Sequence, residues 1–400
     1  MMKTKYATPL VLVAGSLSMS ACSVMSASTS NDMSAGSSNV VSSDVITAKT
    51  NVDNSMSLAA GKSIEVNAQD PWVVESVSTT GVSGTTEDQG LALTVWKSAP
   101  VDPGQMTTVR VTMLNAQTGE TQTIQRNVVG GPAQRTYTAT ITPPKGKYGV
   151  GVIPIVEFSK SVPVADRPEL TSHLSVTSSP TALTGGWRWI SDTQAAYRPS
   201  TQFWPARQTV TVKADIANVK IGGSKAGTND SWGQRNETAT YKVQRAMVLN
   251  LNANTHEGVA TVDGKVVRKF GISLGKPGYT TRSGIKTIME RYSVTRMTNV
   301  GVTNDSVYDI QVPLAMRLTV SGEFLHAAPW NGNIGYANTS HGCSNISYDD
   351  ASYFFNKTIE GDPVITKNTG RPIEAYNGPG ALWNIPFAKW VKFTSPKPTA

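Results

Sequence analysis

Ser340-His341-Gly342-Cys343-Ser344-Asn345 is where reactive side chains concentrate, because Cys343 is one of only two cysteines among 400 residues. Its thiol has four candidate roles: half of a disulfide, a metal ligand, a small buried filler or a nucleophile. The other cysteine, Cys22, closes an apolar leader, and if it carries a lipid no intramolecular bridge is available. Zinc would need His326, His341 and Cys343 together, but that spacing fits no common zinc signature and no carboxylate accompanies it. An inert buried thiol leaves unexplained why the remaining cysteine stands beside a glycine and a histidine in a polar loop. Nucleophilic catalysis explains that setting. An imidazole can lower a thiol pKa and shuttle its proton, and Gly342 lets backbone approach a substrate closely. N–H groups around Gly342 and Cys343 can then stabilise a tetrahedral oxyanion. The chemistry implied is acyl transfer through a thioester. His173 and His256 lie in strand or turn contexts without partners and read as structural or solvated.

Such a nucleophile needs a rigid floor, and the surrounding sequence is β in character. From 62 to 150, "KSIEVNAQD", "LALTVWKSA", "TTVRVTMLNAQTGETQTIQRNVV" and "RTYTATITPP" alternate Val, Thr and aromatic residues between Gly, Pro and Asn breaks. That pattern predicts an all-β sandwich. "PIVEFSKSV", "HLSVTSSP", "WRWISDTQAAYRP" and "TVTVKADI" repeat it over 151–245. Two consecutive modules of this size fit immunoglobulin-like sandwiches, although no cysteine pair pins either. Trp187, Trp189 and Trp204 read as core or inter-domain packing rather than carbohydrate platforms. From 246 the chain stays β with more glycine, and Asp263-Gly264 between alternating strands predicts a type I′ hairpin. A helix is predicted only after Cys343, where Ser347 and Asp350 stand at capping-box spacing ahead of Ala351, Phe354 and Phe355. Gly361-Asp362-Pro363 stops it, and "VITKNTG" resumes a strand. Trp383, Phe387 and Trp390 in the closing "ALWNIPFAKWVKF" are expected to fold back onto the catalytic domain.

At the other end, "MMKTKYATPLVLVAGSLSMSAC" places Lys3 and Lys5 before a short apolar stretch. This is the pattern of a secretory signal over 1–21, too short to span a bilayer. Met19-Ser20-Ala21-Cys22 resembles a lipoprotein cleavage box in which the Cys22 thiol takes a diacylglyceryl anchor to the membrane. Residues 22–61 then form a lipidated, Ser-rich tether, since nine serines within 23–43 leave little to build a core. The expected location is the cell envelope, outside the cytoplasm and lipid-anchored to the plasma membrane. The formal charge of +8 comes without basic runs interleaved with aromatics. It suits an anionic envelope and argues against nucleic acid as a partner.

The histidine and cysteine segments carry a more specific likeness. "FLHAAPW" followed by "NTSHGCSN" resembles the L,D-transpeptidase signature: a histidine, a spacer, then Ser/Thr-His-Gly-Cys-x-Asn. "GISLGKPGYTTRSGIKTIME" is similar to the family's strand and turn leading into the active-site flap. "GGWRWISDTQAAYRPSTQFWPARQTVTV" is similar to the immunoglobulin-like domain preceding the catalytic domain in mycobacterial and corynebacterial members, and "LWNIPFAKW" to their C-terminal subdomain. The resemblance implies a mostly β chain: two immunoglobulin-like β-sandwich modules at 62–150 and 151–245, then a β-rich catalytic domain at 246–370. A short helix follows its cysteine, and residues 371–400 form a C-terminal subdomain and tail.

It also implies a reaction without cofactor or metal. Cys343 would attack the carbonyl between the third, diamino acid residue and the terminal D-Ala of a peptidoglycan tetrapeptide stem. A second stem's side-chain amine would resolve the acyl-enzyme as a 3→3 cross-link. His326 is then the general base and acid, with the Ala327 carbonyl orienting its ring. His341 shapes the pocket beside Gly342, Tyr308 is the flap tyrosine that helps the oxyanion site, and Trp330 lines the cleft. Asn345 supports substrate or loop geometry, and Ser340 binds substrate. Carbapenems acylate this family's cysteine. Ser344 occupies a position that is usually apolar in the family, which alters packing behind Cys343, whereas Asn345 fits the actinobacterial type. Two rivals remain at this level: an L,D-carboxypeptidase, in which water resolves the acyl-enzyme, and a non-catalytic wall-binding protein.

Overall fold

Period-two burial turns the Val- and Thr-rich runs into sheets. Along Met106–Asn115, Thr107, Val109, Val111 and Met113 are buried while the residues between them are not. The structure, a computed structural model, describes residues 45–46 and 55–392, apart from 69, 89–93, 223–229 and 299–307. The leader, Cys22, most of the expected tether and the final tail lie outside the described residues.

The first sandwich packs two four-stranded sheets. One has the order Val45–Ile46, Ser63–Asn67, Thr94–Pro100, Gly84–Asp88; the other Ser55–Leu58, Thr121–Gly130, Met106–Asn115, Trp72–Thr79. Leu58, Ile64, Val66, Trp96 and Val111 fill the space between them. Because Ser55–Leu58 pairs with Thr121–Gly130 and Leu58 is buried, this module begins ahead of residue 62, inside the stretch read as tether. The second sandwich repeats the architecture: Ala139–Thr142, Ile155–Phe158, Gln194–Pro199, Gly185–Trp189 against Lys147–Tyr148, Glu237–Val243, Thr209–Ala214, Leu174–Ser179. Ala139–Thr142 pairs with Ile155–Phe158, and Tyr137, Ile141, Tyr148 and Val150 belong to this second core. The modules therefore divide between Gly130 and Thr136 rather than at 150. Strand alternation by itself does not say which sandwich a strand joins. Trp189 and Trp204 are buried in the second core, and Trp187 packs edge-on against Tyr197, as expected of packing residues.

The third domain, which carries Cys343, consists of β1 (Met247–Asn252), β2 (Glu257–Val262), β3 (Lys265–Gly271), β4 (Gly284–Thr287), β5 (Glu290–Thr298), β6 (Asp309–Arg317), β7 (Phe324–Ala327), β8 (Ser344–Ile346), α1 (Tyr348–Lys357) and β9 (Pro363–Lys367). One sheet runs β3-β2-β1-β9-β4 and the other β5-β6-β7-β8. The β2–β3 turn has Asp263 at φ 48° and Gly264 at φ 81°, the positive values a type I′ turn requires. α1 starts where the capping signal stands: Ser347 is the N-cap, and its hydroxyl accepts the Asp350 N–H at 3.1 Å. The helix stops at Lys357 because Thr358 is extended, a turn before Gly361. Ala351 and Phe354 press its inner face into the core with Leu325, Ala327 and Ile346.

The C-terminal segment is a wedge between domains rather than a flap on the catalytic domain alone. Leu382, Trp383 and Trp390 share a core with Ile153 and Ala196 of the second sandwich and Ile285 of β4. Trp383 Nε1–H donates to the Gly151 carbonyl at 2.7 Å and Trp390 Nε1–H to that of Gly186 at 2.8 Å. Asn384 Nδ2 donates to the Ile285 carbonyl at 2.8 Å.

Candidate active site

β7 and β8 run parallel with Leu325 opposite Ser344, His326 opposite Asn345 and Ala327 opposite Ile346. Leu325, Ala327 and Ile346 point into the core, so alternation sends Phe324, His326, Cys343 and Asn345 to the other face. That face is the floor of a cleft of about 730 Å³, walled by Tyr308, Trp330, His341 and the β6 residues Ile310 and Val312.

His326 is 4% exposed, and its Nδ1 lies 2.8 Å from the Ala327 carbonyl oxygen. A carbonyl only accepts, so Nδ1 carries the proton and Nε2 is left as the basic nitrogen. The Trp330 ring stacks on the imidazole at 6.2 Å. Burial pushes the His326 pKa down to about 4, with the Ala327 hydrogen bond opposing. Cys343 is half-buried at the cleft floor, and its Sγ lies 3.9 Å from the Gly322 carbonyl oxygen. Burial pushes its thiol up to about 11; a hydrogen bond from the Phe324 backbone opposes this, Glu323 adds to it and Lys286 opposes it. Burial thus works against the lowering that a neighbouring imidazole supplies. Burial disfavours the charged form of each group, so the neutral thiol and the neutral imidazole are favoured at neutral pH.

His341 packs between two tyrosines, with ring centroids 4.8 Å from Tyr279 and 5.1 Å from Tyr308, and so builds the cleft wall. Tyr279 is a site residue that sequence reasoning missed. Its signal was only an aromatic in a Gly- and Thr-rich loop. The Tyr308 phenol pKa is raised, by burial first and then by Cys343 and Tyr279, so it remains a hydroxyl donor.

The loop around Gly342 is bonded to itself. Ser340 Oγ donates to the Cys343 carbonyl at 2.6 Å and accepts the Gly342 N–H at 3.1 Å. That hydroxyl braces the loop from the cleft wall, and the Gly342 N–H is engaged by it. Gly342 itself sits at φ 117°, where a side chain would be strained. Ala327 faces the core, and its carbonyl orients the His326 ring. Asn345 does line the cleft, and its Oδ1 has no hydrogen-bond partner within the described chain. His173 and His256 stand apart from the cleft, each with a partner: Glu169 at 3.3 Å and Asn338 at 3.2 Å. Among the described residues no three His, Cys, Asp or Glu side chains are grouped to hold a metal ion.

Ser344 is 1% exposed, and its Oγ is buried without a hydrogen-bond partner. An unsatisfied buried hydroxyl carries its full desolvation cost. Ser344→Ala is therefore expected to raise unfolding free energy by about 1 kcal/mol, read by denaturant titration with an unchanged m-value.

This arrangement has known counterparts. The L,D-transpeptidase catalytic domain family matches residues 246–366, and the bacterial Ig domain family matches 41–220. Probable L,D-transpeptidase 3 of Mycobacterium tuberculosis is 31% identical over 265 residues, covering 61% of this chain and 95% of the relative. This chain belongs to the L,D-transpeptidase family. L,D-transpeptidase 2 from the same species is 29% identical over 248 residues, covering 60% of this chain and 58% of its own length. For L,D-transpeptidase 5 the values are 27% over 262 residues, 63% and 55%. The chain thus spans little more than half the length of those two relatives. A solved LD transpeptidase in complex with imipenem is 26% identical, covering 58% of this chain and 99% of its own at a TM-score of 0.48.

Proposed function

We propose that this L,D-transpeptidase forms 3→3 cross-links between peptidoglycan stem peptides. The observation that carries the reading is that His326, with Nδ1–H fixed on Ala327, lines the same cleft as Cys343. Nε2 takes the thiol proton as Sγ attacks the carbonyl between the third residue and the terminal D-Ala of a tetrapeptide stem. The Tyr308 hydroxyl donates to the oxygen that becomes negative. Return of the proton from His326 lets D-Ala leave as a free amine and creates a thioester on Cys343. The side-chain amine of a second stem's third residue then attacks the thioester, losing a proton to His326, and the thiol is restored. Asn345 and Trp330 contact the donor stem. Carbapenems, by the same attack on a strained lactam carbonyl, acylate Cys343. The leader and Cys22 support envelope location with a lipid anchor, and the two sandwiches hold the cleft away from the membrane.

Incubation of the protein with disaccharide-tetrapeptide, followed by mass spectrometry, tests the reading. The expected product is a 3→3 dimer with one D-Ala released per link. Tripeptide alone would make the enzyme a carboxypeptidase, and absence of both products would leave a wall-binding protein.

A further inference from the structure

Directly behind the nucleophile lies a buried charge cluster that the acyl-transfer steps do not use. Lys286, on β4, is 0% exposed, and its Nζ lies 2.7 Å from Glu323 Oε2. Glu323, itself 4% exposed, is the residue between Gly322, whose carbonyl meets the Cys343 sulfur, and Phe324, whose backbone hydrogen-bonds it. The other carboxylate oxygen, Oε1, accepts the backbone N–H of Arg282 at 2.9 Å and its Nη1 at 3.0 Å. Arg282 Nε continues to Glu374 at 2.6 Å. Next to Arg282, the Thr281 hydroxyl donates to the Gly342 carbonyl at 2.9 Å. One connected network therefore grips both sides of the sulfur: the Gly322–Phe324 turn through Glu323, and the Gly342 loop through Thr281.

An ion pair this deep is costly, and well-packed apolar residues often serve stability as well or better. Glu323 alone would also place a negative charge behind a sulfur that must become negative during attack. The charged groups on this side of the sulfur are Lys286 from β4, Arg282 and Glu323 from the two loops, and Glu374 beyond Arg282; on the cleft side the titratable groups are Tyr308, His326 and His341.

We propose that Lys286 is a positioning residue for the nucleophile: its ammonium offsets the Glu323 carboxylate so that the turn gripping Cys343 can be anchored without repelling the thiolate. Lys286 joins β4 to the loop before β7 and does not line the cleft. This rests on Cys343 being the nucleophile, but not on which stem or acceptor it serves.

The test is alkylation of the full chain by iodoacetamide across a pH series, with the Cys343 peptide resolved by mass spectrometry so that Cys22 does not contribute. This reads the thiol without any wall substrate, so failure of transpeptidation and failure of this proposal are separate results. In Lys286→Met the midpoint of the rate profile is expected to rise by at least half a pH unit, or about threefold less thiolate at a given pH below it. Lys286→Met/Glu323→Gln, which removes both charges, should bring the midpoint back toward wild type. Arg282→Met, at a more exposed site, should move it upward by less. An unmoved midpoint in a natively melting Lys286→Met overturns the proposal, as does an equal shift in the single and double variants. If Lys286→Met does not fold, Arg282→Met decides: an upward shift supports the proposal and an unmoved midpoint overturns it. If neither folds, the cluster is a folding element and the proposal also falls.

Discussion

Exchange of Cys343 for alanine is expected to abolish thioester formation and every product, and His326→Ala to slow acylation by about 10²–10⁴-fold. The argument lies in the protonation states. Burial holds His326 down to about 4 and lifts the Cys343 thiol to about 11, so both are neutral over a wide range around neutrality. Attack must then move the proton from Sγ to Nε2 as the new bond forms, and removing the acceptor leaves only the small thiolate fraction. kcat/KM should be level through neutral pH and fall as pH drops through about 4, where His326 gains a proton and ceases to be a base. In His326→Ala that acid limb should vanish, and the residual rate should climb with alkalinity as the thiol ionises. An acid limb retained in His326→Ala would falsify the assignment of the base. The same shift has a stability consequence. The folded pKa lies below the unfolded value of 6.5, so the unfolded chain binds more protons between them. This contribution is complete above about pH 6.5 and is lost as pH falls toward 4, by about 3 kcal/mol at the acid limit.

The reactive pair was legible because its signals are local: a lone cysteine beside Gly342 and His341, and a histidine shortly upstream. The Ser347 cap and the Asp263-Gly264 turn were legible for the same reason, since each is decided within four residues. What sequence left open depends on contacts between distant positions. Ala139–Thr142 reads as a strand in any sandwich, and only its pairing with Ile155–Phe158 assigns it to the second. Lys286 and Glu323 each look like ordinary surface charges until β4 and the loop before β7 are packed together. Ser340 and Gly342 were given open roles because nothing in their order reveals that the hydroxyl and the N–H satisfy each other. The direction of the Cys343 shift was likewise set by burial, which a motif does not report.

Trp383→Ala is expected to destabilise the chain by about 3–5 kcal/mol. The indole is 4% exposed and packs edge-on against Phe203 at 5.1 Å. The Arg198 guanidinium lies 4.7 Å from its ring centroid and donates to the carbonyls of Leu382 at 3.0 Å and Ile385 at 2.7 Å. Truncation opens a large cavity, strips the Gly151 carbonyl of its donor, and removes one of the three rings that face the Arg198 guanidinium. Burial already lowers the Arg198 pKa to about 10, so its charge is poorly solvated before the change. The losses fall on the seam between the second sandwich and the catalytic domain, where Gly149 and Gly151 also donate backbone hydrogen bonds to Glu360 and Gly361. Calorimetry should therefore show the shared transition of these two domains lowered by on the order of 10 °C, or split in two. Iodoacetamide reactivity of Cys343 should stay close to wild type below the new transition, because no residue of the wedge lines the cleft. A melting curve unchanged within 2 °C would show that the wedge is not what joins the domains.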